Sequence, residues 1–163
     1  MESEMMLSID MQLAIPDFMD ASVPLEQIGR KIKNDIQFNI RNGVEFEYKN
    51  PLEPLKEKTV KRKRKLGAPY PRTPLRRFGV MLNAIHLYKI NKNAIGIGII
   101  PRGKPSRDVI GNYHNTGAYP NPRRPFFGVS TKMLEYANER MDRWVKQNIE
   151  KAAKKYIRSS LPY

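Results

Sequence analysis

The sequence predicts an α+β domain, in which a small antiparallel sheet packs against an N-terminal and a C-terminal helix and is joined by long loops rich in proline and arginine. Two observations carry this prediction. Residues 7–15 alternate apolar and polar side chains, as a half-buried strand does. Residues 22–43 and 130–156 repeat apolar side chains at intervals of three and four, as amphipathic helices do. The pattern lacks the strand–helix–strand alternation of a parallel α/β fold.

The first helix is predicted to begin at Ser22, with Pro24 in its first turn, and to end at Gly43. Its apolar stripe consists of Leu25, Ile28, Ile32, Ile36 and Ile40. Residues 44–48 are interpreted as a short edge strand. Residues 50–53 (Asn-Pro-Leu-Glu) have the pattern of an N-cap, a first-turn proline and a capping-box glutamate. A second, peripheral helix is therefore expected from there to about Lys65, with Gly67 beyond its end.

The second half of the chain alternates predicted loops and strands. Residues 67–77 are rich in proline and arginine and are expected to form an extended arm. Two strands near 81–90 and 94–100 are separated by a hairpin turn at 91–93. Residues 101–125 contain five prolines and are expected to form a long loop. A short strand at 126–129 precedes the final helix, which Ser130 caps. The stripe of that helix is Leu134, Ala137, Met141, Trp144 or Val145, Ile149, Ala152 and Tyr156.

Length and composition indicate one globular domain over residues 1–163, with a core at about 7–155 and a short tail at 157–163. Hydrophobic residues make up 40% and charged residues 28% of the 163, which is typical of a folded chain. The sequence has no cysteine, so disulfides and thiolate metal sites are excluded. No apolar run approaches the roughly 20 residues of a membrane span. Residues 1–4 are acidic and do not resemble a signal peptide, so neither secretion nor membrane insertion is expected.

The chain is strongly basic, and its cations fall into clusters. There are 30 lysines and arginines against 16 carboxylates, a net charge of +14 that suits DNA, RNA, acidic proteins or anionic lipid. The densest run is either a phosphate-contacting surface or a solvated helix end: Lys61, Arg62, Lys63, Arg64 and Lys65. The arm adds Arg72, Arg76 and Arg77. The long loop adds a second cluster that would contact DNA or an acidic subunit, or be solvated: Arg102, Lys104, Arg107, Arg123 and Arg124.

No pattern in the sequence predicts an enzyme, a cofactor or a metal site. Gly96 and Gly98 lack the third glycine of a dinucleotide loop, and are expected to allow close approach of another backbone or a bulge within a strand. His86 is interpreted as structural, and His114 has no partner at ligand spacing. The aromatic residues are assigned to the core, with Phe126, Phe127 and Tyr119 as alternative interface anchors. A nucleophile motif and a phosphate-binding loop are both missing.

Several short motifs, in order, resemble the virion-morphogenesis (tail-completion) proteins of tailed bacteriophages. The similar segments are Pro54-Leu55 with Thr59, Leu75 with 79–81 and 84–85, residues 94–99, residues 113–117 (Tyr-His-Asn-Thr-Gly), and residues 124–130 (Arg-Pro-Phe-Phe-Gly-Val-Ser). Together they lie within about residues 22–150. The chain departs from the family pattern at Leu52, where a tryptophan is common, at Met81 and Ala84, and in a shortened tyrosine-to-histidine spacing.

The resemblance implies a structural virion protein and no enzyme. Such a protein would form a homo-oligomeric ring, six-fold or alternatively twelve-fold, at the head–tail neck, where it completes, terminates or joins the tail. Its partners would be other neck and tail-tube proteins, with non-specific contact to packaged DNA. It would assemble in the host bacterial cytoplasm and end in the virion. The arm, the long loop, His114 and Phe126 are the expected contact regions beside the basic clusters. The alternative is a free-standing nucleic-acid-binding protein associated with DNA or the ribosome.

Overall fold

The computed structural model describes residues 8–12, 19–76, 79–101, 107–117 and 122–160. Within them the chain forms an antiparallel sheet with helices packed beside it, which confirms the predicted α+β class. The elements in chain order are β1 (Ser8–Gln12), α1 (Ser22–Asn42), α2 (Glu57–Lys65), α3 (Val80–Asn83), β2 (Ile85–Asn91), β3 (Ala94–Ile99), α4 (Arg107–Thr116) and α5 (Thr131–Ser160).

The sheet has the strand order β1-β3-β2, so the buried strand β3 lies between two edge strands. β2 and β3 form the predicted hairpin, whose turn is at residues 92–93. The side chains of Ile95, Ile97 and Ile99 share one face because a strand repeats every two residues. On the other face, a Cβ at Gly96 would overlap the Tyr88 ring. The close approach expected at this glycine is therefore made by an aromatic side chain of the neighbouring strand, and not by backbone.

Helix α1 covers the isoleucine face of the sheet and confirms the prediction for residues 22–43. All five residues of its predicted stripe are buried. Gly43 ends the helix in a left-handed conformation with φ 64°. At Gly29 a Cβ would lie 2.6 Å from the side chains of Leu87 and Ile95, so glycine allows the helix to approach the sheet closely.

Helix α5 packs beside α1, and the Ser130 hydroxyl accepts a hydrogen bond from the Met133 amide at its start, as predicted. The predicted stripe is only partly correct. Leu134 and Ile149 are 52% and 61% exposed. The helix is rotated so that its inward side chains are Met133, Tyr136, Ala137, Met141 and Trp144. Ala152 is exposed, and the Tyr156 side chain lies outside the described part.

The predicted strand at 44–48 is wrong, since this segment makes only the isolated bridge between Val44 and Pro51. The Lys49 ammonium folds the segment into a loop instead. It donates hydrogen bonds to Asp35 Oδ2 at 2.6 Å, Asn39 Oδ1 at 2.9 Å and the Phe46 carbonyl at 3.0 Å. Lys49 has φ 58°, a backbone conformation that residues other than glycine rarely adopt.

The second helix begins at Glu57, six residues after the predicted start. The residues before Glu57 form hydrogen bonds to other parts of the chain instead of helical ones. The Leu52 amide donates to the Gly43 carbonyl at 2.8 Å, and the Arg124 guanidinium donates to the carbonyls of Glu53 and Pro54. Pro54 also disfavours a helical conformation at the residue before it. The predicted end near Lys65 is confirmed.

The described part of the predicted arm, residues 67–76, turns back onto the body rather than extending. Lys63 Nζ donates to the Thr73 carbonyl at 2.7 Å, and Arg76 donates to the Arg41 carbonyl at 3.2 Å. Leu75 packs against the core. The expectation of an extended arm is therefore wrong, because hydrogen bonds and an apolar anchor hold the segment in place.

Three other expectations are corrected. Residues 80–83 form α3, so the strand predicted to begin near residue 81 begins at Ile85. The predicted loop at 101–125 contains the ten-residue helix α4. Residues 126–129 do not form a strand, and Phe126 and Phe127 are core residues, 0% and 4% exposed. Their rings pack edge to face, with centroids 6.2 Å apart.

Candidate functional site

A groove of about 550 Å³ lies between α2, the 66–76 segment, α3 and α4. We call it the basic groove, because its lining combines an apolar floor with arginine side chains. It is lined by Leu55, Thr59, Arg62, Lys63, Leu66, Leu75, Arg76, Val80, Met81, Arg107, Ile110 and His114.

The floor of the basic groove is an apolar surface continuous with the core. Met81 is buried, and Leu75 and Ile110 pack against the core cluster. Leu66 and Val80 line the same groove and remain 43% and 48% exposed. Exposed aliphatic side chains that line one groove offer a surface that can bind an apolar partner.

The arginines of the basic groove come from three elements: Arg62 from α2, Arg76 from the folded-back segment and Arg107 from α4. The guanidinium of Arg76 is held in place, because its central carbon lies 3.2 Å from the centroid of the Tyr70 ring and it donates to the Arg41 carbonyl. The described lining contains no aspartate or glutamate. An anionic group entering the groove would therefore meet guanidinium donors and no carboxylate.

Helix α2 directs the five cations at 61–65 to different faces, so that not all of them reach the surface. Lys61, Arg62, Arg64 and Lys65 are exposed, whereas Lys63 is buried and bonded to the Thr73 carbonyl. Lys63 is thus structural, which corrects its place among the surface candidates. Arg72 is exposed and lies 3.7 Å from Glu57. An exposed ion pair of this kind contributes little to stability.

Arg124, predicted to be a contact residue, is a buried internal clamp. It is 4% exposed, donates through Nε to the Glu53 carbonyl at 3.0 Å, and lies 3.5 Å from His114 Nδ1. A guanidinium can only donate, so a hydrogen bond between the two groups requires His114 Nδ1 to be unprotonated. Burial, and secondly the Arg124 charge, lower the pKa of His114 below 6.5. Burial also lowers the pKa of Arg124, against the opposing effect of Glu53.

The two most distinctive sequence segments, 113–117 and 124–130, are joined in the fold. The Arg124 amide donates to the His114 carbonyl at 2.6 Å. The Asn115 side chain donates to the Phe127 carbonyl and accepts from the Phe127 amide. Gly117 has φ 80°, and a Cβ there would lie 2.8 Å from that of Arg123. These residues close the end of α4 onto the returning chain, so their described roles are structural.

The structure brings together some of the predicted contact residues and separates others. Arg62, Arg76, Arg107 and His114 line the basic groove. Arg123 is exposed and does not line the groove, and Phe126 is in the core. Arg77, Arg102 and Lys104 lie outside the described residues.

Sequence reasoning missed the apolar floor. Leu55, Thr59, Arg62 and Leu66 recur at helical spacing along one line, which was the available signal. The contributions of Val80 and Ile110 follow only from α3 and α4, which were predicted as strand and loop. The site therefore depends on two elements that the sequence pattern did not indicate.

The described residues contain no cluster of histidine, aspartate and glutamate that could hold a metal ion. In the same part of the chain, no helix is long and apolar enough to cross a bilayer. The chemistry of the basic groove suits a ligand that presents apolar groups beside carboxylates or other anions.

Comparisons with protein-family models, with curated proteins and with solved structures found no match to this chain.

Proposed function

We propose that this chain is a structural virion protein of a tailed bacteriophage, which forms a ring at the head–tail neck and completes or terminates the tail. Its work is assembly and not catalysis. The ring would be six-fold, with twelve-fold as the alternative, and would contact other neck and tail-tube proteins. It would assemble in the bacterial cytoplasm and remain in the virion. The proposal rests on the resemblance of ordered motifs over about residues 22–150.

The observation that carries the proposal is the contact between the two strongest motif segments. Residues 113–117 and 124–130 are paired through Asn115 and Phe127, with hydrogen bonds of 3.1 and 3.0 Å. If the motifs are similar because the proteins have the same fold, the motif residues should contact one another and stabilise that fold. The contact between these two segments supports the resemblance in that way.

The surface also offers different patches for a ring. Ring closure requires a heterologous interface, in which one patch of a subunit meets another patch of the next. The described sheet has two edge strands, β1 and β2, and the basic groove lies beside α3, which leads into β2. A subunit with unlike surfaces at its two sides can be repeated head to tail.

A second function, free-standing nucleic-acid binding, is favoured by one observation. Four closely spaced cations on α2, at positions 61, 62, 64 and 65, are exposed. This hypothesis predicts that the isolated monomer binds duplex DNA or RNA without sequence preference, with an affinity that falls steeply as salt rises. The ring hypothesis predicts weak binding by the monomer and strong self-association.

The test is electron microscopy of a lysate of the phage that encodes this chain, with the gene deleted. We expect filled heads beside detached tails, and tails of uncontrolled length if the chain is a terminator. Supplying the wild-type gene in trans should restore joined particles. Normal infectious particles from the deletion would refute the neck assignment and favour nucleic-acid binding.

A further inference from the structure

The charges of this chain are segregated along the sequence. Residues 1–29 carry six carboxylates and no lysine or arginine, so all 30 cations follow residue 29 together with the other ten carboxylates. Within this acidic region, residues 1–7 (Met-Glu-Ser-Glu-Met-Met-Leu) combine two glutamates with four large apolar side chains. We call residues 1–7 the acidic segment.

The acidic segment and the basic groove are complementary in charge and in the placement of apolar side chains. Glu2 and Glu4 match a rim on which three arginines have no neighbouring carboxylate in the described lining. Met5, Met6 and Leu7 match an aliphatic floor in which Leu66 and Val80 are about half exposed. Methionine side chains adapt readily to an irregular apolar surface.

We propose that the basic groove binds the acidic segment of a neighbouring copy of this chain. The acidic segment precedes β1, which forms one edge of the sheet, whereas α3 leads from the groove into β2 at the other edge. Ser8, to which the acidic segment is joined, and His86 at the start of β2 both pair with Gly98, so the segment is joined to the sheet at the end where the groove lies. Binding to a neighbouring copy, rather than within one chain, rests on the ring assembly proposed above, in which unlike surfaces of successive subunits meet.

The test exploits the lack of cysteine in the chain. One copy carries Met5→Cys in the acidic segment, and a second copy carries Leu66→Cys in the groove. The two full-length variants are mixed and oxidised, and the disulfide-linked peptides are identified by mass spectrometry. Because each copy has a single thiol, a link between positions 5 and 66 arises only between copies. We expect this link, and we expect little link in the matched control that pairs Met5→Cys with Leu134→Cys on α5.

Charge reversal tests the electrostatic contribution to binding of the acidic segment in the groove. Arg62→Glu with Arg107→Glu in the groove copy should lower the yield of the 5–66 link about tenfold. Adding Glu2→Arg and Glu4→Arg to the other copy should restore it. Lys61→Glu with Arg64→Glu is the matched control, since both side chains are exposed on α2 but do not line the groove. That control should change the yield much less.

Two outcomes would overturn the proposal. One is a 5–66 yield no higher than the 5–134 yield. The other is a link that forms only within a single chain when both cysteines are on one copy. Light scattering on the same samples separates the two hypotheses: oligomers without the 5–66 link would reject this interface and retain the ring, whereas monomers alone would reject self-assembly itself.

Discussion

The side chain of Asn115 pairs with the backbone of Phe127 through two hydrogen bonds, in the way that one strand pairs with another. Asn115 Nδ2 donates to the Phe127 carbonyl at 3.1 Å, and the Phe127 amide donates to Asn115 Oδ1 at 3.0 Å. This pair ties α4 to the chain that leads into α5. It lets a segment without regular secondary structure hold Phe126 and Phe127 in the core.

We expect Asn115→Ala to destabilise the protein by about 2 kcal/mol, because both backbone groups of Phe127 lose their partners. Urea denaturation monitored by circular dichroism measures the change. Asn112→Ala on the same helix is the control and should change stability by no more than about 0.5 kcal/mol. Equal effects of the two substitutions would show that the pair does not hold the segment.

Gly96→Ala should destabilise the protein by about 1–3 kcal/mol, because its Cβ would overlap the Tyr88 ring. The effect should be much smaller in a Tyr88→Ala background, where the ring is gone. A double-mutant cycle by urea denaturation measures this coupling. Strictly additive free energies would contradict the packing of Tyr88 over Gly96.

Stability should depend on pH through His114. Burial and Arg124 lower its pKa below 6.5, so the unfolded chain takes up the proton at a higher pH than the folded protein. The stabilisation is complete above about pH 6.5 and is lost as the pH falls from there towards the lower pKa of the folded state. Melting temperatures between pH 8 and 5 should fall less for His114→Gln than for the wild type. A His114→Gln profile parallel to the wild type would contradict this origin.

Lys49→Met should destabilise the protein by about 1–3 kcal/mol, because Asp35 and the Phe46 carbonyl lose the ammonium that they share. Lys31→Met removes an exposed cation from α1 and should change stability by no more than about 0.5 kcal/mol. Thermal denaturation of both variants checks the difference. A similar loss in both would mean that net charge, and not the local network, is responsible.

The elements that the sequence predicted well are those whose own periodicity decides their structure. The stripe from Leu25 to Ile40 and the left-handed Gly43 determine α1 locally, and the alternation in residues 8–12 determines β1. The prediction failed where distant partners decide the conformation. Arg124 holds the carbonyls of Glu53 and Pro54 about seventy positions away, so the capping pattern at residues 50–53 does not start a helix.

The candidate site was predictable in its charge but not in its shape. The basic run at 61–65 located Arg62, but burial of Lys63 follows from its bond to the Thr73 carbonyl. Arg124 was expected at a contact surface because it belongs to the basic cluster of the loop, yet the fold buries it, and Phe126 follows its core assignment rather than the alternative of an interface anchor. The groove itself needs α3, which was predicted as the start of a strand, and α4, which lies in a segment with five prolines that was predicted as a loop.

The most direct test of the central proposal is absolute quantification of this chain in purified, infectious particles of the phage that we propose encodes it. Isotope-labelled peptides from α1 and α5 provide the internal standards for mass spectrometry. A neck ring predicts a fixed number of copies per virion, in a small multiple of six, that stays constant when the particles are washed at high salt. Loss of the chain from the particles on washing, or its absence from them, would contradict a structural role in the virion.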